Sequence, residues 1–193
     1  MKLFKKLAAA ALAAVLALSM VGCGNANSVN PTKQFVLNLI ADSADQGGAE
    51  INNTAAMDGI AQNLLNKAAE LYGSEEYAGE PVVALLGAAS ETEGMGFEAG
   101  KTYLVSCAED YQFKSSLLLN AHKQEAFFMK LMQSSLTVKL MQNGVIVQQG
   151  SHINTTKKAD VGVAVGKIGD KTYAVVVMMP TKTAAAPSTP DKD

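Results

Sequence analysis

The segment Ala159–Lys167 alternates large and small side chains in a way that only a few packing arrangements can accommodate. Alternation with a period of two is typical of a β-strand, in which successive side chains point to opposite faces. The three valines of the segment therefore share one face, while Gly162, Ala164 and Gly166 share the other. A second strand, Lys171–Met179, follows after a short turn. The face of small residues is nearly bare, so this strand pair predicts a sheet on which a helix lies very close.

Two helices are predicted ahead of this strand pair, because apolar residues recur there every three or four positions. The first spans Thr32–Ala44 and ends at the Gly47–Gly48 pair. The second begins after Asn53 or Thr54, either of which is a good N-cap residue, and ends at Gly73. Its apolar stripe is wide enough to cover a sheet.

The middle of the chain alternates predicted strands with less regular segments. An Asn-Gly pair between two β-like runs favours a tight hairpin turn. In chain order the predicted elements are a strand at Pro81–Leu86, a loop at Ser90–Gly100, a strand at Lys101–Cys107, a helix from Leu117 or His122 to Ser134, and a hairpin of Thr137–Met141 with Val145–Gln148. The methionines, Met129 and Met132 among them, are expected to pack on apolar faces, for which their flexible side chains are well suited.

The first residues of the chain have the character of an export signal. Three lysines precede Leu7–Met20, an apolar run without charge. As a helix the run is about 21 Å long, whereas the hydrocarbon core of a membrane is about 30 Å thick. This is the size of a signal-peptide core, so residues 1–22 are predicted to be a signal peptide and to take no part in the fold.

The apolar run leads into Ser19–Cys23, with the sequence Ser-Met-Val-Gly-Cys, which resembles the lipobox of bacterial lipoproteins. In that family the cysteine sulfur receives a diacylglyceryl group, and a peptidase then cuts before the cysteine. The resemblance implies that Cys23 carries lipid with palmitate-type acyl chains, and that residues 23–31 form a tether. An ordinary signal peptide that happens to contain a cysteine is the alternative. The protein is expected to be extracytoplasmic, attached by its lipid anchor to the outer face of a bacterial membrane.

The composition limits the function classes that remain. Hydrophobic residues make up 48% of the chain and charged residues 18%, which is typical of a folded body rather than a disordered one. All 16 basic residues are lysines, and three of them lie in the signal, so removing it lowers the net charge from −2 to −5. Without arginine or a basic patch, nucleic acid is not an expected partner. The tail, residues 181–193, is predicted to be disordered.

Of the 2 cysteines, only Cys107 remains after Cys23 is lipidated, so no disulfide is predicted. Cys107 lies in a predicted strand and is expected to act as a small buried hydrophobe. A reactive thiol needs positive charge nearby, whereas Glu109 and Asp110 bring negative charge.

Five segments together resemble a known family. Val36–Ile40 and Met57–Ala68 look like its first two helices, Ala126–Ser134 is similar to the helix that precedes its conserved histidine, and Asp160–Gly166 with Thr172–Val177 look like its last two strands. The family is the CAP superfamily, named after cysteine-rich secretory, antigen 5 and pathogenesis-related 1 proteins. The resemblance implies an α+β fold over residues 32–180, an α-β-α sandwich with an antiparallel sheet between helices.

Catalytically equipped CAP domains carry two histidines and two glutamates around a cleft that can hold a metal ion. The histidine expected after the second helix is missing from Gly73–Tyr77, and the second histidine falls near Thr137 or Val138. A glutamate expected before the third helix falls near Ser115 or Ser116. None of the four residues can therefore be carried over, and no catalytic, metal or cofactor-binding residue is assigned.

Other arrangements of reactive side chains are weaker still. His122 and Glu125, three residues apart on a predicted helix, could share a metal, but a solvated helix face is favoured. Ser151 and His152 are adjacent in sequence, which is poor geometry for a nucleophile and its base. A cluster of glutamates in the middle of the chain favours a solvated acidic surface over a calcium site; its members are Glu75, Glu76, Glu80, Glu91 and Glu93.

The sequence therefore predicts a non-catalytic binding or interaction module with no cofactor. Its expected partners are the membrane, through Cys23, and a protein, glycan or small molecule of unknown identity. The alternative is a cell-envelope or peptide hydrolase with an unrecognised site, because a fold does not by itself fix a function. If the CAP resemblance is accidental, a different small α+β lipoprotein remains.

Overall fold

The structure is a computed structural model that describes residues 30–109, 121–141, 144–149 and 158–181. The predicted signal peptide, Cys23 and nearly all of the predicted disordered tail lie outside these residues, as do Ser115, Ser116, Ser151 and His152. No helix in the described part of the chain combines the length and the apolarity that a membrane span requires.

The described residues form helices and strands in a mixed order along the chain. The α-helices are α1 (Pro31–Gln46), α2 (Ala55–Tyr72), α3 (Val82–Ser90) and α4 (Ala121–Gln133). A short 3-10 helix, Glu75–Tyr77, follows α2. The strands are β1 (Glu50–Asn53), β2 (Thr102–Glu109), β3 (Ser135–Met141), β4 (Gly144–Gln149), β5 (Lys158–Ile168) and β6 (Lys171–Pro180).

The six strands form one sheet in the order β1-β5-β6-β2-β3-β4, with helices packed on both faces. Helices α2 and α3 cover one face, where they enclose an apolar core with side chains such as Leu64, Leu85 and Val175. Helices α1 and α4 cover the opposite face, where Val36, Phe127 and others form a second core. The predicted α+β class, with a sheet between helix layers, is confirmed.

The face of β5 that carries small residues packs closely against a helix, as the sequence predicts. Helix α2 lies so close to β5 that a Cβ atom on Gly162 would overlap the backbone of Met57 and Asp58. Further along the strand, a Cβ on Gly166 would lie 2.8 Å from Cδ2 of Leu65. The valines on the other face of β5 pack into the second core. The small residues Gly162, Ala164 and Gly166 on one face of β5 therefore set how deeply α2 sits on the sheet.

The segment Pro81–Leu86, predicted to be a strand, is instead the beginning of α3. Its two valines favour β-structure locally. The buried residues Leu85, Leu86 and Ala89 nevertheless recur at helical spacing, so one helix face can cover β2, β3 and β4 together. Tertiary packing has overridden the local preference.

One strand was not predicted at all. The four residues of β1 include a single aliphatic side chain, Ile51, so they lack the alternation that identifies a strand. This strand pairs in parallel with β5, in the register Glu50 to Lys158. The predicted sheet was antiparallel throughout, and this pairing at the edge is the exception.

Most other predicted elements are confirmed. Thr54 is the N-cap of α2, because its hydroxyl accepts a hydrogen bond from the backbone N–H of Met57 at 3.2 Å. Strands β3 and β4 pair as the predicted antiparallel hairpin, although Asn143 of the turn lies outside the described residues. Strands β5 and β6 pair antiparallel along their whole length.

The expected burial of the methionines is wrong for α4. Met129 and Met132 are 50% and 43% exposed, although both belong to the apolar residues of this helix. Helix α4 packs mainly against β2, so only the stripe that carries Phe127 and Leu131 is covered by the sheet.

Candidate functional site

The CAP resemblance places catalytic residues at positions that this chain fills with other side chains. Some of these positions lie within the described residues. Val138 is fully buried in the core beneath α3, and Thr137, its neighbour on β3, is half-buried. The segment after α2 is a turn and the short 3-10 helix. A histidine at Val138 would lie among apolar side chains, so this part of β3 contributes to packing.

The other predicted arrangements lie only partly within the described residues. His122 lies on α4, and the side chains of His122 and Glu125 fall outside the description. The five clustered glutamates, Glu75 to Glu93, are all exposed to solvent. Among the described residues, no three His, Cys, Asp or Glu side chains converge as a metal site would require.

A groove of about 470 Å³ opens along the first half of α2. Its second wall is the loop that contains Met95, Gly96 and Glu98, and its base lies where β2 and β5 begin and β6 ends. The antiparallel pairing of β6 with both neighbours brings these three strand ends together. This groove is the candidate functional site.

Flexible apolar side chains form the floor of the groove. Met57 and Ile60 of α2 are buried, and Met95 and Met179 are half-buried beside them. Methionine is unbranched and polarizable, so it adapts to ligands of different shapes. Three methionines, brought together from distant parts of the chain, give the groove a floor that can adjust.

The wall formed by α2 is unusually bare. Ala56 and Gly59 are both exposed and line the groove, and a Cβ placed on Gly59 would meet no atom within 4 Å. Glycine inside a helix costs roughly 0.5–1 kcal/mol relative to alanine. No packing contact requires a glycine at position 59. Because Gly59 has no side chain, the groove is wider at this position.

Replacing Gly59 by alanine is expected to stabilise the protein by about 0.5–1 kcal/mol, because the helix becomes less costly to form and nothing is displaced. Urea unfolding followed by circular dichroism will measure the change. A loss of stability would show that the space above Gly59 is occupied by another part of the chain.

The polar edge of the groove is held by hydrogen bonds between its walls. The side-chain amide of Asn63 on α2 donates to the carbonyl oxygen of Met95 at 3.4 Å. The backbone N–H of Glu98 donates to the phenol oxygen of Tyr103 at 3.0 Å. The Tyr103 ring packs against Phe97 with ring centroids 4.8 Å apart. These contacts fix the loop wall relative to β2 and α2.

The groove is acidic. Glu98 and Asp160 are its ionisable carboxylates, and none of the described lining residues is a lysine. The pKa of Tyr103 is raised, mainly because the phenol is partly buried. The hydrogen bond from the Glu98 N–H lowers this pKa, and the negative charge of Glu98 raises it. The phenol is thus neutral at physiological pH, and the field at this end of the groove is negative.

The groove lies beside the point where the described chain begins. Lys33, in the first turn of α1, contacts Asp58 on α2 with 2.5 Å between Nζ and Oδ2. Asp58 stands between Met57 and Gly59, which both line the groove. The first described residues of the chain therefore lie close to the groove.

The Cys107 thiol does not belong to this site. It is 4% exposed on β2, and burial raises its pKa to about 12. We expect Cys107 in the folded protein to resist a thiol reagent at pH 8 and to react rapidly in guanidinium chloride, because the thiolate is the reactive form. With a thiol reagent that releases a chromophore on reaction, absorbance measures the rate of labelling. Fast labelling of Cys107 in the folded protein would contradict its buried position.

Comparisons with protein-family models, with curated proteins and with solved structures find no match to this chain. Sequence reasoning missed the groove because its walls come from segments more than 100 positions apart, from Thr54 to Met179. The one local signal was Gly59, an exposed glycine inside a strongly patterned helix.

Proposed function

We propose that this protein is an extracytoplasmic lipoprotein whose non-catalytic, CAP-like domain binds a small ligand in the groove along α2. The observation that carries the proposal is the groove itself, with an adaptable apolar floor and a few polar groups at its edge. Small-molecule sites in proteins combine these features and occupy about 300–1,000 Å³. The volume and the mixture of groups both fall within this description.

The lipobox-like sequence before Cys23 supports the membrane anchor. Each buried CH₂ contributes about 0.8 kcal/mol, so two acyl chains contribute on the order of 20 kcal/mol and hold the protein at the membrane. Residues 24–29 separate the anchor from the start of the described domain and reach about 20 Å when extended. The groove, which lies near that start, would then be held close to the membrane surface.

The buried apolar environment of Val138 supports a non-catalytic role. A CAP-type histidine at that position would be desolvated, and among the described residues no three His, Cys, Asp or Glu side chains converge to hold a metal ion. The groove offers carboxylates, an amide, thioethers and the hydroxyls of Thr54 and Tyr103. These groups suit the recognition of a ligand by apolar contact and hydrogen bonds.

The anchor is tested by replacing Cys23 with serine in the full chain and labelling cells with radioactive palmitate. We expect the native protein to be labelled and to sediment with membranes, and the variant to be unlabelled and released. A Cys107→Ser variant is the matched control and should behave like the native protein. Membrane attachment of the Cys23 variant would overturn the lipoprotein assignment.

Ligand binding is tested by native mass spectrometry of the protein purified from its own membrane. We expect a bound mass that is retained by Gln62→Leu and lost from Gly59→Leu. Both substitutions add an exposed leucine to α2, but only position 59 lines the groove. Two results would contradict binding in the groove. One is a native protein without a bound ligand, and the other is a ligand that stays bound in both variants.

A further inference from the structure

We infer that the groove selects an amphiphilic amine, meaning a small molecule with an aliphatic body and a positively charged ammonium group. This inference rests on the proposed binding function and adds the chemical class of the ligand. It follows from which charges line the groove, from the nature of its floor and from how its walls are joined.

The charge of the groove is the first reason. Glu98 and Asp160 line it, and neither forms an ion pair with a lysine among the described residues. Asp160 accepts only a neutral hydrogen bond, from the side-chain amide of Asn52 at 3.3 Å. A cation in the groove would meet two carboxylates that no described lysine pairs with, whereas these carboxylates would repel a carboxylate or phosphate ligand.

The floor is the second reason. Met57, Met95 and Met179 present thioethers and methyl groups, which favour an aliphatic chain over a strongly polar ligand such as a sugar. The exposed, bare wall at Ala56 and Gly59 leaves room for that chain beside the helix. The apolar floor and the acidic edge together match a molecule that is apolar along its length and positive at one end.

The joined walls favour a small molecule over a peptide. The hydrogen bond from Asn63 to the Met95 carbonyl ties α2 to the loop at one end of the groove. An extended peptide often binds by adding a strand to an exposed sheet edge, whereas the walls of this groove are a helix and a loop. A groove of about 470 Å³ that is tied at one end suits a compact ligand.

Methyl NMR of the chain from residue 23 to 193, with Cys23→Ser and labelled methionine, tests the inference. This stretch contains every described helix and strand. The probes are n-octylammonium, octanoate and 1-octanol, each below its aggregation limit. We expect octylammonium to shift the signals of Met57, Met95 and Met179, and to leave those of the exposed Met129 and Met132 on the opposite face unchanged.

The contrast between probes identifies the ligand class. We expect octylammonium to bind about tenfold more tightly than 1-octanol, because hydrogen bonds to charged groups add this much, and octanoate to bind weakest. Equal affinity for all three would overturn the amine class while leaving groove binding intact. Absence of any shift at the three groove methionines would instead overturn the binding function on which the inference rests.

The carboxylates are tested by the double variant Glu98→Gln with Asp160→Asn. Octylammonium binding should weaken about tenfold, to the level of 1-octanol, while 1-octanol binding stays unchanged. The double variant Glu91→Gln with Glu93→Gln changes two exposed carboxylates outside the groove and should have no effect. Equal losses in both double variants would show a general charge effect and contradict the assignment. Tighter binding of an acetylated Leu-Lys-Leu amide than of octylammonium would overturn the small-molecule ligand in favour of a peptide.

Discussion

Replacing Gly162 by alanine is expected to destabilise the protein by about 3 kcal/mol, at the upper end of what overpacking usually costs. The added Cβ would overlap the backbone of Met57 and Asp58, so no side-chain rotation can relieve the clash. Helix α2 must then lift from the sheet and lose packing along its apolar face. Urea unfolding followed by circular dichroism measures the loss, which corresponds to a drop of about 6–12 °C in melting temperature.

The same substitution at Gly166 is the matched control. Its Cβ would lie 2.8 Å from Cδ2 of Leu65, which is the end of a side chain that can change rotamer. We therefore expect Gly166→Ala to cost about 1 kcal/mol. A Gly162 variant as stable as the Gly166 variant would show that α2 does not rest on β5 as described.

The close approach at Gly162 also links the fold to the groove. Met57, whose backbone rests on Gly162, supplies part of the groove floor with its side chain. A displacement of α2 would move the floor away from the loop that carries Met95 and Glu98. The bare face of one strand thus determines both the depth of helix packing and the shape of the candidate site.

The sequence predicted this packing because the information is local. The alternation along β5 lies within nine residues, and side chains two positions apart must share a face of a strand. The apolar stripe of α2 is equally local, because residues three and four apart share a face of a helix. Together these patterns are sufficient to predict a helix seated on a bare strand.

The helix α3 and the strand β1 could not be predicted in the same way. Val82 and Val83 favour a strand locally, and only the buried positions further along show that a helix covers three strands at once. Strand β1 has one aliphatic residue in four, and its place depends on the free edge of β5. Pairing with a distant strand leaves no periodic pattern in such a short segment.

The groove was beyond sequence reasoning for a related reason. Its methionines resembled ordinary core residues, and its two carboxylates are separated by more than sixty positions, Glu98 to Asp160. Only the antiparallel order of β2, β6 and β5 brings these segments to one end of the sheet. A ligand site assembled in this way depends on topology, which no single segment of the chain specifies.

Asp58 joins four elements at the edge of the sheet. Its Oδ1 accepts hydrogen bonds from the backbone N–H of Val163 at 2.9 Å and from the side chain of Asn53 at 3.0 Å. Its Oδ2 contacts Nζ of Lys33 on α1. Strand β1 ends at Asn53, so beyond that point the Val163 N–H of β5 has the Asp58 carboxylate as its partner.

Replacing Asp58 by alanine is expected to cost about 2–3 kcal/mol, because the Val163 N–H loses its partner and Lys33 loses its counter-charge. The free energy of unfolding at pH 7 measures the loss. Asp42→Ala is the matched control, since Asp42 is an exposed carboxylate on α1, and it should change stability by less than about 0.5 kcal/mol.

The contribution of Asp58 should also depend on pH, and the direction follows from its pKa. Partial burial raises the pKa of Asp58, but the hydrogen bonds and the charge of Lys33 outweigh that effect and leave the pKa below its usual value. The pKa of such a carboxyl is lower in the folded protein than in the unfolded chain, where it is about 3.9. The carboxyl then stabilises the fold at any pH above the value in the unfolded chain. This contribution is lost as the pH falls through the pKa in the folded protein. The stability difference between the native protein and Asp58→Ala should therefore be constant from pH 7 to pH 5 and narrow below about pH 4. A difference that stays the same down to pH 2.5 would show that the charge of Asp58 contributes nothing, and that the loss at pH 7 comes from neutral hydrogen bonds and packing.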